Sequence, residues 1–154
     1  MSPVTEIGPT GILGFYRMIF KTLERVPVAL PELVLRVGVS LVFYRSFDAK
    51  IADWSTTILL FENEYNVPIL PPAMAAVMAA ALEIVGPIML VLGFGTRGAA
   101  GAMLGMTLVI QIFVYPQSYP DHLLWAGPLL YLLLRGPGKW SVDAIIRDRI
   151  GGGR

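Results

Sequence analysis

Glu83 is the only charged residue in the 23-residue run PAMAAVMAAALEIVGPIMLVLGF, Pro72 to Phe94. Four residues on stands Pro87, which has no N–H and whose ring pushes against the carbonyl of residue 83. The position that carries a carboxyl side chain is therefore also one whose backbone oxygen loses its helical donor. At ~1.5 Å per residue the run extends roughly 34 Å as a helix, enough to cross a ~30 Å hydrocarbon core. At that depth the carboxyl group must keep its proton or find a partner. The chemistry open to it is proton transfer, or a hydrogen bond to the polar head of a quinone-like molecule. The plainer alternative is a neutral Glu83 that holds helices together by hydrogen bonding.

Other polar residues fall at similar depth. Counted from the predicted cytoplasmic helix ends, Glu83 lies ~16 Å in, Ser40 and Thr107 about 14 Å, and Tyr44 and Gln111 about 20 Å. The expectation is a buried polar site of Glu83, Arg36, Ser40, Tyr44, Thr107 and Gln111. Arg36 has three possible destinations: an ion pair with Glu83, a pair with Glu32 one turn back on its own helix, or the interface by snorkelling. A second group, Arg45, Asp48, Lys50, Asp53 and His122, is expected at the outer mouth. It would steer an anion such as a sulfur oxyanion, dock a partner, or form a solvated rim.

No metal site is expected. The chain has no cysteine and a single histidine, which excludes disulfides, thiolate ligation and multi-histidine metal centres. Met74, Met78, Met103 and Met106 sit at helical spacing and read as core filling rather than a soft-metal path.

These side chains need a bilayer-spanning scaffold to hold them. The 154 residues are 55% apolar and 15% charged, with mean hydropathy +0.66, against about 45–50% and about 25% in ordinary soluble domains. Net charge is +1, so no global field recruits nucleic acid. The fold class expected is an all-α membrane protein, a four-transmembrane-helix bundle with amphipathic interfacial helices at both ends. Residues 1–27 read as a tail and an interfacial helix from Gly11 to Val26. There Ile12, Phe15, Tyr16, Ile19, Phe20 and Leu23 form a stripe opposite Arg17, Lys21, Glu24 and Arg25. No signal peptide is expected in it.

Residues 28–136 form the transmembrane domain, with spans at about 31–47, 72–94, 99–115 and 121–135. Between the first two, Asp53 or Ser55 caps a short helix that leads into an exposed loop. Gly93, Gly95 and Gly98 around Thr96-Arg97 make a tight turn. In the third span the Gly101-xxx-Gly105 spacing lets helix backbones approach closely. Residues 137–154 hold a last amphipathic helix capped by Ser141 and anchored by Trp140, then a Gly-rich tail. Nine of the twelve basic residues lie in the N-terminal segment, the Arg97 turn and the C-terminal segment. That bias predicts a multi-pass plasma-membrane protein with both termini in the cytoplasm.

The order of LRVGVSLVFYRSFDAKI in the first span, a polar excursion with Val-Pro before the second, LEIVGPIMLVLGFGTRGAA, and the later GPGKWSVD resembles the DoxX family of small bacterial membrane proteins. The resemblance covers roughly residues 33–145. It implies a four-helix bundle in the bacterial inner membrane. It also implies a link to oxidoreductase assemblies, such as the membrane subunit of thiosulfate:quinone oxidoreductase. The function expected is a membrane-anchoring subunit of a quinone- or sulfur-linked redox complex, not an enzyme alone. Quinone is the possible ligand, with no tightly bound cofactor. The partners are the lipid bilayer and a protein partner or a second copy of the chain. A small-solute or metal transporter component and a purely structural scaffold are the alternatives.

Overall fold

Helices dominate because long runs of Ala, Leu, Val and Met are broken only where Pro and Gly cluster. The structure is a computed structural model and describes residues 11–65 and 67–151, which contain helices and no strand. The tails expected at residues 1–10 and 152–154 lie outside the described residues. Seven α-helices follow in order: α1 Ile12–Leu23, α2 Ala29–Ala52, α3 Trp54–Asn63, α4 Pro72–Leu92, α5 Thr96–Val109, α6 Tyr119–Arg135 and α7 Val142–Gly151. A π-helical turn, Ile110–Val114, prolongs α5, and a 3₁₀ turn, Pro116–Ser118, leads into α6. Helix α2 continues beyond the span expected at about 31–47, through Asp48, Lys50 and Ile51 to Ala52. Its last turn is held by Thr57 of α3, whose Oγ1 donates to the Lys50 carbonyl at 2.9 Å.

Helices α2, α4, α5 and α6 pack in a ring, α2 on α4, α4 on α5, α5 on α6 and α6 back on α2. Small residues set the spacing. A Cβ on Gly86 would stand 2.6 Å from Met103 Sδ, so the missing side chain makes room for the buried Met103 of α5 against α4. The Gly101/Gly105 pair does something else. A Cβ on Gly101 would make an ordinary 3.5 Å contact with Leu133, and one on Gly105 would meet nothing within 4 Å. This pair therefore leaves a groove instead of a tight helix crossing.

The main core is Val39, Phe43, Leu90, Ala99, Ala100, Met103, Leu129 and Leu132. The outside is more aliphatic than the inside: Val34, Leu41, Val77, Val85, Ile88, Leu108, Ile112, Leu123 and Leu124 are exposed while Arg36 and Glu83 are buried. An aqueous protein reverses this arrangement, whereas hydrocarbon tails solvate such a surface. Pro72–Leu92 and Thr96–Val114 are each long and apolar enough to cross a membrane. Helix α1 buries none of its residues, and α7 buries only Ala144, so the apolar stripes of both are uncovered.

At one end, four chain segments lock together. Arg36 is 1% exposed. Its Nε donates to the Leu90 carbonyl at 2.6 Å, and its terminal nitrogens reach the carbonyls of Val91, Pro137 and Trp140. Leu90 and Val91 lie in the last turn of α4, where carbonyls lack their regular i+4 donors and the helix dipole is negative; the Gly93 amide reaches the Leu90 carbonyl at 3.1 Å as well. Asp143 reciprocates at the start of α5, accepting from Gly95 N at 2.8 Å and Thr96 N at 3.0 Å. Ser141 Oγ accepts from Ala144 N at 3.1 Å and caps α7 as expected.

Candidate functional site

Two hydrogen bonds fix the antiparallel register of α2 and α4: Arg36 to Leu90, and Ser40 Oγ to the Pro87 carbonyl at 3.3 Å. The same register places Phe43 and Tyr44 level with Glu83. Lys50 stands nearly two turns further out, yet its Nζ donates to Glu83 Oε1 at 2.7 Å. A helical side chain leans toward its helix N-terminus, and the four-carbon stem spans the remaining gap. This is the one ion pair within 4 Å among the described residues. Glu83 is 2% exposed and the Lys50 side chain 20%, so the pair is open to water only from the lysine side. The second carboxyl oxygen, Glu83 Oε2, is buried without a partner.

The structure divides the expected polar layer. Arg36 does not reach Glu83 or Glu32; it is consumed by the four carbonyls at the other end, because its own backward lean carries it away from the bundle centre. Tyr44 is 47% exposed and tilted against Phe47 with ring centroids 6.4 Å apart, so it faces outward and does not join the site. Ser40 sits one turn from Glu83 on the Pro87 carbonyl. The outer-mouth group is likewise divided. Lys50 turns inward and His122 is buried, while Arg45 and Asp48 are exposed. Asp53 caps α3, its carboxylate accepting from Thr56 N at 2.9 Å, Thr56 Oγ1 and Ser55 Oγ. The Thr56 amide chiefly, with the two hydroxyls, holds the Asp53 carboxyl down at about 2.

Thr107, Gln111 and His122 form a separate cluster between α5 and α6. They line a groove of about 560 Å³ together with Gly101, Gly105 and Tyr119. Gln111 Nε2 donates to the Pro116 carbonyl at 2.8 Å, which fixes the orientation of the amide. Its Oε1 then faces His122 Nδ1 at 2.6 Å. Because an amide oxygen only accepts, His122 Nδ1 is the donor of this hydrogen bond. The π turn at Ile110–Val114 carries Gln111; such turns recur where a helix is re-aimed at a functional site. Thr107 returns its hydroxyl to the Met103 carbonyl at 2.9 Å. With Gly86 set against Met103, the α4–α5 register puts Thr107 level with Glu83.

Sequence reasoning missed Tyr65. Its ring packs edge-on against Phe61 at 5.0 Å and Tyr115 at 5.6 Å, and its hydroxyl accepts from Tyr115 Oη at 3.1 Å. Burial first, then the Tyr115 hydrogen bond, pushes its phenol well above the usual range. Tyr65 thus joins Phe61 of α3 to Tyr115 at the end of the π turn, beside Ala75 and Ala76 of α4. The stretch ENEYNVP carries no apolar periodicity, so nothing local marked it.

Helices without a strand among the described residues, a lipophilic exterior, an internal carboxylate–ammonium pair and a mostly apolar groove define a helical membrane protein. The DoxX family model matches residues 32–116, more than half of the chain, and the chain belongs to that family. The match takes in Arg36, Lys50, Tyr65, Glu83, Thr107 and Gln111, and ends before His122. No curated protein and no solved structure matches the chain.

Proposed function

We propose that the chain crosses the bacterial plasma membrane four times, through α2, α4, α5 and α6, with both termini cytoplasmic. In this reading it is the membrane-anchoring subunit of a redox complex that handles a quinone or a sulfur compound. The observation that carries the reading is Glu83: buried at mid-helix, one oxygen held by Lys50 and the other free for a hydrogen-bonding ligand or proton. Unpaired polar atoms this deep are costly, and a structural glue residue would have both oxygens engaged.

The α5/α6 groove supplies a way in from lipid. Its lining is mostly apolar, with Thr107, Gln111 and His122 as its convergent polar groups, the composition expected of a site for a lipophilic ring. Reduction of a quinone takes two electrons, supplied by the partner subunit, and two protons, one for each carbonyl oxygen, the first from Glu83 and the second from water at the outer side. Protonated Glu83 is the group in this chain placed to hand one over. Lys50 stabilises the carboxylate left behind and, being part-exposed, connects it to the outer aqueous side.

The test is Glu83→Gln in the complex purified in mild detergent, with bound protein and quinone content compared with the parent. We expect unchanged assembly and at least a ~100-fold loss of quinone turnover, the scale of a lost general acid. A variant equal to the parent in assembly and turnover reduces Glu83 to a structural residue and ends this reading.

A further inference from the structure

At the end of the bundle remote from Lys50, the start of α2, the α4–α5 turn and residues 135–147 enclose an open cleft of about 1020 Å³. Its lining includes four cations, Arg97, Arg135, Lys139 and Arg147, and two carboxylates, Glu32 and Asp143. Both carboxylates are engaged inside the protein. Glu32 Oε1 accepts from Tyr131 Oη at 3.2 Å, and Asp143 caps α5 through Gly95 and Thr96. Among the described residues none of the four cations has a carboxylate within 4 Å, and all four are exposed.

The cleft is built on a fixed frame. Arg36 grips the carbonyls of Pro137 and Trp140 from beneath. Gly138 has φ 82°, and a Cβ there would run into the Glu32 carboxylate at 1.8 Å. The rim is apolar: Val28 is 68% exposed and Trp140 51%.

We infer that this cleft binds the head group of an anionic phospholipid carrying two phosphodiesters. With its two carboxylates counted, the cleft keeps a net charge of +2, which two phosphodiesters neutralise. Guanidinium forks match phosphate oxygens in shape as well as charge. Cationic pockets at the cytoplasmic ends of membrane helices are suited to such heads, and the Val28–Trp140 rim is where acyl chains would leave toward the bilayer. A soluble phosphate anion shares the head-group chemistry but makes no use of that rim. The inference rests on the bilayer placement proposed above and is independent of the redox role, so an inactive or active Glu83→Gln variant leaves it unchanged.

The experiment is native mass spectrometry of the full chain, delipidated in mild detergent and titrated with cardiolipin, phosphatidylglycerol, phosphatidylcholine or inorganic pyrophosphate. Cardiolipin should bind at least tenfold tighter than either one-phosphate lipid, and pyrophosphate more weakly still. Arg97→Gln/Arg135→Gln should weaken cardiolipin at least tenfold. Lys139→Gln/Arg147→Gln, whose exposed side chains take no part in the carbonyl contacts of Arg36, should weaken it similarly with helix content unchanged, which separates lost binding from lost folding. Arg45→Gln removes one charge at the opposite end and should change nothing. Equal binding of cardiolipin and phosphatidylglycerol, an equal loss in Arg45→Gln, or pyrophosphate binding as tightly as cardiolipin would each overturn the proposal.

Discussion

Two buried charges in this molecule have different jobs, and substitution separates them. Arg36 serves four carbonyls, of which Leu90 alone also accepts from a neighbouring backbone amide, that of Gly93. Arg36→Leu should cost at least ~3 kcal/mol, because it strands those acceptors out of water. Arg36→Lys should recover little, since one ammonium cannot span carbonyls from both α4 and the 137–140 segment. Thermal unfolding in detergent reads both. Glu83 and Lys50 differ in that Lys50 is part-exposed and its ammonium can turn to water once released. Glu83→Gln and Lys50→Met should each cost about 1–2 kcal/mol, and the double variant clearly less than their sum. Strict additivity would show that the 2.7 Å contact contributes no coupling.

At the scale of elements, the short helix α3 depends on one cap. Asp53 holds the first turn through Thr56 N, and its folded value of about 2 lies below the ordinary aspartate value of 3.8. A depressed carboxyl favours the folded form above its unfolded value and loses that contribution as pH falls through the folded one. The α3 amides should therefore exchange faster as pH drops from about 4 to about 2, after correction for intrinsic rates. In Asp53→Ala that acid step should vanish, the helix being frayed at every pH; a step that survives the substitution belongs to another group. The glycines of α4 and α5 give a second contrast. Gly86→Ala should destabilise by about 1–3 kcal/mol through the clash with Met103. Gly105→Leu, entering open space in the α5/α6 groove, should fold as well as the parent while reducing quinone turnover. Unchanged turnover would show that the groove is not the way in.

For the whole molecule the question is orientation in the bilayer. The absence of native cysteine makes single introduced cysteines informative. Those at Asn63 or Gln117 should react with a membrane-impermeant reagent added to spheroplasts. Those at Arg25 or Arg149 should react only after lysis. Labelling of Arg149→Cys from outside would reverse the proposed topology. Helices α1 and α7 leave their apolar stripes uncovered, so Ile145→Asp/Ile146→Asp should raise protease cleavage near Arg147 in vesicles without changing the unfolding of the ring.

The sequence by itself determined the membrane class, the helices and the family. A 23-residue apolar run, Pro and Gly at the breaks, and the N-cap pattern at Asp53 are local signals, and each helix obeys them to within a few residues. It also marked Glu83, because a lone carboxyl in such a run has no local explanation. Its partner was not legible. Depth counted along separate helices gave the level of each side chain but not its direction around the helix axis, so Tyr44 and Lys50 were placed on the wrong sides of the boundary between site and rim. Only the packing of α2 on α4 decided that Tyr44 turns to the outside and Lys50 leans in. The carbonyls that claim Arg36 lie as far as 104 residues away in the chain, and no spacing rule reaches that distance. Tyr65 meets Tyr115, 50 residues on, the same way, since contact across a bundle depends on where helices meet and not on what precedes a residue in sequence.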